Sequence, residues 1–425
     1  MSECAHYQKG EPVDLTAVAP VSSAVRSLCD GFNGLGLDLH RRLPSGGNTF
    51  ISPLSIGAAL AALLPGARGQ TGAELARVLR VEGTTEDTAR AMTELRRILE
   101  PRTIEEQTWS EENQALEFAE RETFRLSLVT GLFVEEAYPL HTAFCDALSE
   151  AFGAEFFSVT FANAEETADR VNAWVADKTE DRITSLVSPD SVLPDMRLIL
   201  ANAVYFKARW ADQFTEARTR AKPFHLLPGE GTASVDVPMM AKQGTFLHWK
   251  SESESESADV EALRIDYEEG ISMLVVLPAT GRFAEVEAAL STDFLAQIHA
   301  ASERTLVDVE FPRFEMRFET GLGEVLQELG LQTAFDIASA DFGGITPHPD
   351  GLFLSEAIHQ AWLKVDEQGT EAAAATALMA LGAVLVEEEP PLPMPFVVDR
   401  PFYFFIQERL SGAVLFMGRV LNPAA

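Results

Sequence analysis

From Thr370 to Val386 the chain runs seventeen residues with one charge, Glu371, and such a stretch has few places to go in a protein that stays in water. It follows Asp366-Glu-Gln-Gly369, carries four alanines bracketed by Thr370 and Thr376, and ends at Glu387-Glu-Glu389 and a proline-rich tether reaching Pro395. As an Ala-rich buried helix it would use the best helix formers, yet it is apolar all round and shows no stripe of 3.6-residue period. As a membrane span it is shorter than the roughly 20 residues needed, with glutamates at one end. The third possibility is a loop that sits in solvent in one state and becomes a buried strand in another. In a strand, Thr370, Ala372, Ala374, Thr376, Leu378 and Ala380 share one small, uncharged face, and Glu371 falls on the other. Threonine favours strands and alanine does not, so local propensity leaves the segment uncommitted until a sheet accepts it. About a dozen residues gaining ladder bonds at roughly 0.5–1.5 kcal/mol net each would make insertion worth on the order of ten kcal/mol. That is comparable with the whole stability of a domain.

The rest of the 425-residue sequence weighs on these alternatives. With 46% hydrophobic residues the chain is a folded protein rather than a disordered one. Its formal net charge of −32, with no basic patch interleaved with aromatics, argues against nucleic acid and against an anionic membrane surface as partners. Cys4, Cys29 and Cys145 are too sparse for a disulfide framework and lack C-x-x-C spacing, and the eight histidines are scattered, so no metal and no cofactor is expected. Residues 1–12 lack the apolar core of a signal peptide, which reads as cytoplasmic for the chain as written.

Residues 1–20 read as a loose tail and residues 21–425 as one domain. A helix is expected over Val21–Leu43, with Leu28, Phe32, Leu35 and Leu39 at helical spacing. Asn48-Thr-Phe-Ile-Ser-Pro-Leu-Ser55 opens a second helix that ends near Leu64-Pro-Gly66, and Thr71 caps a third. Thr84 to Glu122 reads as helical and solvated. The apolar runs Phe124–Val134 and Arg197–Trp210 read as buried strands of a central sheet, separated by an amphipathic helix over Ala164–Leu186 with Val171, Trp174, Val175 and Ile183. Strands follow at Phe246–Trp249, Val260–Ile265, Ile271–Leu277 and Leu306–Phe318, then a helix at Gly321–Gly330. Pro401–Ile406 and Ala413–Val420 form a closing hairpin, and the Ser251–Ser257 serine–glutamate alternation reads as a solvated tip. Strands and helices mix without a βα repeat, so the fold class is α+β.

Several motifs, in order, resemble one family, the serpins, in its inhibitory and prokaryotic form. Asn48 to Ile56 with Gly66-Ala-Arg-Gly-Gln-Thr71 is similar to the family's early helix pair, and Leu200-Ala-Asn-Ala-Val-Tyr-Phe-Lys-Ala-Arg-Trp210 to its central strand. Phe335 and Ala340-Asp-Phe342 with Gly344-Ile-Thr346 resemble a helix-to-loop segment. Asp399-Arg-Pro-Phe402 and Phe416-Met-Gly-Arg-Val-Leu-Asn-Pro423 match the closing signature.

The resemblance implies a serpin fold of three β-sheets and eight or nine helices, with an exposed reactive-centre loop at about 367–395. It implies a suicide inhibitor of serine proteases, with cysteine proteases as a second target class. Such a protein is usually extracellular and a monomer, with a liability to polymerise. A protease cleaves the loop through an acyl-enzyme, and the freed strand enters the central sheet with the protease still attached. On this reading Glu367, Gly369, Thr370, Ala372, Ala373, Ala374, Ala375 and Thr376 form the hinge. Counting from Glu367 puts the cut bond at Ala383-Val384. About seven extra residues before Pro401 leave Leu381 or Leu385 as alternatives. Ser52, Ser55, Asn202 and His359 resemble the family's buried shutter cluster, and Trp210 and Arg313, the latter pairing with Glu367, its breach. No lysine or arginine lies between Ala372 and Asp399, which points to an elastase-, subtilisin- or chymotrypsin-like target and away from a trypsin-like one. An enzyme is the first rival, but G-x-S-x-G, H-E-x-x-H and phosphate-loop patterns are lacking. A serpin that carries, stores or chaperones without inhibiting is the second.

Overall fold

The structure is a computed structural model and describes residues 21–44, 46–110, 115–227, 234–252, 259–370 and 392–425. Among them are nine α-helices: α1 (Ser23–His40), α2 (Pro53–Ala61), α3 (Gly69–Leu79), α4 (Thr85–Ile98), α5 (Thr142–Ala147), α6 (Ala164–Lys178), α7 (Phe283–Ala289), α8 (Thr292–Ala301) and α9 (Gly323–Glu328). The strands of the first half are β1 (Thr49–Ile51), β2 (Arg102–Ser110), β3 (Ala115–Glu135), β4 (Glu155–Val159), β5 (Leu198–Arg209) and β6 (Arg220–His225). Those in the middle are β7 (Ser234–Lys250), β8 (Val260–Asp266), β9 (Ile271–Pro278), β10 (Glu303–Pro312) and β11 (Phe314–Gly321). The last are β12 (Glu356–Val365), β13 (Gly369–Thr370), β14 (Met394–Val397), β15 (Phe402–Glu408) and β16 (Val414–Val420).

Helix starts follow from short-range chemistry. The Ser22 hydroxyl accepts from the Val25 amide to open α1, which then buries Val25, Leu28, Cys29, Phe32, Leu35 and Leu39 on one face. Ser52 caps α2 with Pro53 at its first position, and the helix is buried along its whole length. Thr84 and Asp87 form a reciprocal capping box at α4.

The central sheet has strand order β11-β12-β13-β5-β3-β2, with β4 beside β3 and a direct parallel pairing of β12 with β5. A nine-stranded network runs β1-β16-β15-β9-β8-β7-β10-β14, with β6 on β7. Three sheets were the expectation. Hydrogen bonding makes the second and third continuous because β7, seventeen residues long, pairs with β6, β10 and β8 along successive and overlapping stretches. One hydrophobic cluster joins α1–α4, one face of the central sheet and the nine-stranded network; a second packs α6 on the other face through Phe133, Trp174 and Tyr205.

Several expectations need correction. Residues 84–122 are not one helix: α4 stops at Ile98, Pro101 follows, and 102–110 and 115–122 are strands. Proline forces the residue before it toward extended backbone, and Thr103, Ile104, Thr108 and Trp109 then favour a strand. The helix expected to Leu186 ends at Lys178, where Glu180 and Asp181 take positive φ; Ile183 is buried from a loop. Thr71 does not cap α3, whose first residue is Gly69. Its buried hydroxyl instead accepts from the Asp341 amide and from Thr333. Thr49–Ile51 forms β1 before α2 begins, and Phe246–Trp249 is only the end of β7. The run Leu306–Phe318 is two strands that break at Arg313, β10 belonging to the nine-stranded network and β11 to the central sheet. Gly321–Gly330 holds the shorter α9. The tail 1–20 and most of the Ser251–Ser257 tip lie outside the described residues.

Candidate functional site

The central sheet has a seam. Below, Ile199–Val204 of β5 pair directly with Glu356–Ala361 of β12. Above, the direct pairing stops, and the two-residue strand Gly369–Thr370 lies between them, opposite Arg209 and Ala208 on β5 and, through Thr370, opposite Val365 on β12. Strand β12 reaches this position through a tight turn, with the Asp366 amide donating to the Gly369 carbonyl at 2.9 Å. Gly369 has φ +148°, and a Cβ there would lie 2.2 Å from the Ala208 carbonyl oxygen, so only glycine fits.

Under the paired part of the seam is a row of polar side chains. Thr130 of β3, Asn202 of β5 and His359 of β12 stand side by side in register. The Ser52 amide donates to His359 Nε2 at 3.2 Å, so the proton of the ring sits on Nδ1, which donates to Asn202 Oδ1 at 2.7 Å. The Ser55 hydroxyl lies 3.1 Å from the same oxygen, and the Asn202 amide donates to the Ser55 and Val129 carbonyls at 3.2 and 3.3 Å. Ser52, Ser55, Asn202 and His359 are all buried. Burial without a counter-charge pulls the His359 pKa down to about 3, which keeps the ring neutral. The α2 N-terminus makes this arrangement: the hydroxyl of Ser52 caps the helix, leaving its amide free for His359.

At the top of the seam the Glu367 carboxylate is buried. It accepts from the Thr219 hydroxyl at 2.6 Å and, at Oε2, from Arg313 at 2.6 Å. Burial alone would raise its pKa; the bonds from Thr219 and Arg313 outweigh it and hold the carboxyl below its ordinary value. Main-chain bonds hold the rest of the turn: the Trp210 indole donates to the Asp366 carbonyl at 2.8 Å, its amide to Gln368 at 2.9 Å, and the Phe214 amide to Glu367 at 2.9 Å. Trp210 stacks on Tyr267 with ring centres 4.0 Å apart, and the Tyr267 and Thr370 hydroxyls meet at 2.9 Å. Thr370 is fully buried.

Thus the structure brings Ser52, Ser55, Asn202 and His359 into one cluster, and Trp210, Arg313, Glu367, Gly369 and Thr370 into another. Ala372, Ala373, Ala374, Ala375 and Thr376, and the bonds considered for cleavage at Leu381, Ala383, Val384 and Leu385, lie outside the described residues. Thr130, Thr219 and Tyr267 were missed. Thr130 carried a weak signal, a threonine between Val129 and the apolar run Leu132–Val134; Thr219 and Tyr267 join the site only through the fold. Among the described residues no group of histidine, cysteine and carboxylate side chains could hold a metal, and no helix is long and apolar enough to cross a membrane.

The described chemistry is that of a zipped sheet, and comparison with known proteins says which one. The family model described as Serpin (serine protease inhibitor) matches residues 31–423. An uncharacterised serpin-like protein of Thermococcus kodakarensis is 35% identical over 402 residues, 94% of this chain and 86% of the relative. The leukocyte elastase inhibitor of Bos taurus is 33% identical, covering 92% and 96%. Among solved structures, human thyroxine-binding globulin complexed with thyroxine aligns with a TM-score of 0.79 at 27% identity, covering 94% of this chain and all of that one. Native protease nexin-1 with heparin aligns at 0.78 and 28%, with the same coverage. With the fold, the seam and these matches in agreement, the chain belongs to the serpin family.

Proposed function

We propose that the protein inhibits serine proteases as a suicide substrate, with residues 367–395 as the reactive loop of a domain that spans 21–425. The observation that carries this reading is the parted seam, whose upper end already holds Gly369–Thr370 while its lower end is closed by β5–β12 pairing. Extending that register downward gives a specific result. Six residues beyond Thr370, Thr376 would stand opposite Asn202 on β5 and His359 on β12, which now bond to each other. A hydroxyl thus arrives where a buried bond is broken, and Ala372 and Ala374 precede it on the same face. The small, uncharged face needs no charge to be buried, and every backbone group that enters finds a ladder partner on both sides.

Cleavage near Ala383-Val384 would free the strand and carry the acyl-linked protease with it. The lack of lysine and arginine between Ala372 and Asp399 supports an elastase-, subtilisin- or chymotrypsin-like target. The leukocyte elastase inhibitor among the relatives agrees in kind. The decisive experiment is incubation with one protease of each class, with gels run in hot detergent and mass spectrometry of the cut. A covalent complex with an elastase-like enzyme is expected. Cleavage by every class without a complex would sink the inhibitory reading and favour the second one, a carrier, which the likeness to thyroxine-binding globulin keeps in view.

A further inference from the structure

Lys242 of β7 is 5% exposed. Its ammonium donates to the Asp212 carbonyl and sits 4.4 Å from the ring centre of Phe214, 5.3 Å from Phe246 and 6.0 Å from Trp210. Among the described residues no carboxylate reaches ion-pair distance. Asp212 and Asp266 attract it from farther off, and Asp266 is itself engaged by Arg264 and Arg409. The other nearby carboxylates have their own cations: Glu367 has Arg313, Asp366 has Lys364, and Glu310 on the facing β10 has Lys222. One carbonyl and three ring faces replace the water shell of an ammonium only in part, so the charge is held at a cost.

The rings that hold it are the ones that hold the loop's entry point. Trp210 stacks on Tyr267, whose hydroxyl meets that of Thr370, and the Phe214 amide holds the Glu367 carbonyl. We propose that Lys242 is a positioning residue for loop entry: as an ammonium it loads the closed Trp210–Tyr267–Thr370 column, as a neutral amine it leaves the column at rest, and the rate of entry therefore depends on pH. This rests on the loop-insertion reading above. Burial pulls Lys242 from its ordinary 10.5 down to about 8, with Asp212 and Asp266 opposing the shift. Any opening that lets water reach Nζ returns the group to its ordinary value, so opening takes up a proton between those two pH values. Rising pH through that window favours the closed form.

The test follows the uncut protein, without protease, as it converts to a urea-resistant, loop-inserted form a few degrees below its melting point. For the parent, conversion is expected to slow roughly threefold or more between about pH 7 and about pH 10. Lys242→Met should convert slowly with no such dependence, and Lys242→Gln serves as a second neutral variant if Met packs poorly. Lys242→Arg, charged throughout, should convert at a rate that does not fall. A parent with a flat profile, or one that never converts, overturns the proposal, as does a neutral variant that keeps the parent's slope. A parent that traps protease yet has a flat profile sinks only the role of Lys242. A parent with the predicted profile that traps no protease sinks only the inhibitory reading.

Discussion

His359 Nδ1 donates to Asn202 Oδ1 at 2.7 Å across the only stretch where β5 and β12 pair directly, so one side-chain bond spans the seam that a new strand would have to enter. Replacing His359 by Ala would strand the Ser52 amide in a buried place and leave the Asn202 oxygen with the Ser55 hydroxyl alone. The expected loss is about 2–4 kcal/mol, read as a lower urea midpoint. The uncut variant should also take up the loop more readily, seen as faster conversion to a urea-resistant form.

The same ring predicts an acid response. His359 is pulled from 6.5 down to about 3 by burial, and His40, likewise buried and pushed further by Arg419 and Arg41, to about 4. Unfolding lets both take up protons, so their contribution is whole above about pH 6.5 and is lost as pH falls toward 4 and 3. Urea midpoints measured between pH 7 and pH 4 should decline, and His359→Gln should flatten that decline. An unchanged slope in the variant would mean the ring is not held neutral.

Glu367 is buried while Arg313 is half-exposed, so the pair is asymmetric. Arg313→Ala leaves the carboxylate with Thr219 and without its two contacts to the guanidinium; about 1–3 kcal/mol should be lost, less than for a fully buried pair because water reaches the arginine. The lowered carboxyl pKa adds stability that is present above its ordinary 4.5 and fades as pH drops below it. The gap between the melting temperatures of parent and variant should be narrower near pH 4 than at neutral pH.

Gly369→Ala sets a Cβ against the Ala208 carbonyl in a conformation that side chains avoid. The Gly369–Thr370 strand should leave the seam. Amide exchange at Thr370 and at Lys207–Trp210 would rise by an order of magnitude or more, with the core strands unchanged.

Thr370→Arg would place a guanidinium on the inward face at a cost of several kcal/mol. The proposed function then requires a variant that is cut as a substrate without trapping protease. Trapping at the parent's efficiency would show that this face does not enter the sheet.

How much of this could be read from residues alone depended on what surrounds each one. β5 and β9 are buried on nearly all positions and their apolar runs announced them. β2 and the start of β3 read as helix because the ribbon is exposed at Thr103, Ile104, Phe118 and Glu120, where no core imposes alternation. Asn202 stood out as an amide in an apolar strand, and Thr130, its neighbour in the row, gave the same sign at lower contrast. Tyr267 and Thr219 could not be found that way: each lies far along the chain from Thr370 and Glu367, and only the folded sheets bring the hydroxyls together. The split at Arg313 was hidden because β10 and β11 are both strands, and it is the sheet they join, not their propensity, that differs.

That split has a mechanical consequence. β10, which runs up to Arg313, pairs with β14, the strand that follows the loop, and after Arg313 the chain continues as β11 at the edge of the central sheet. A sideways shift of β12 and β11 to admit a newcomer is transmitted through one residue to the anchor of the loop's far end. Widening the slot at one foot of the loop thus tugs on the mooring of the other.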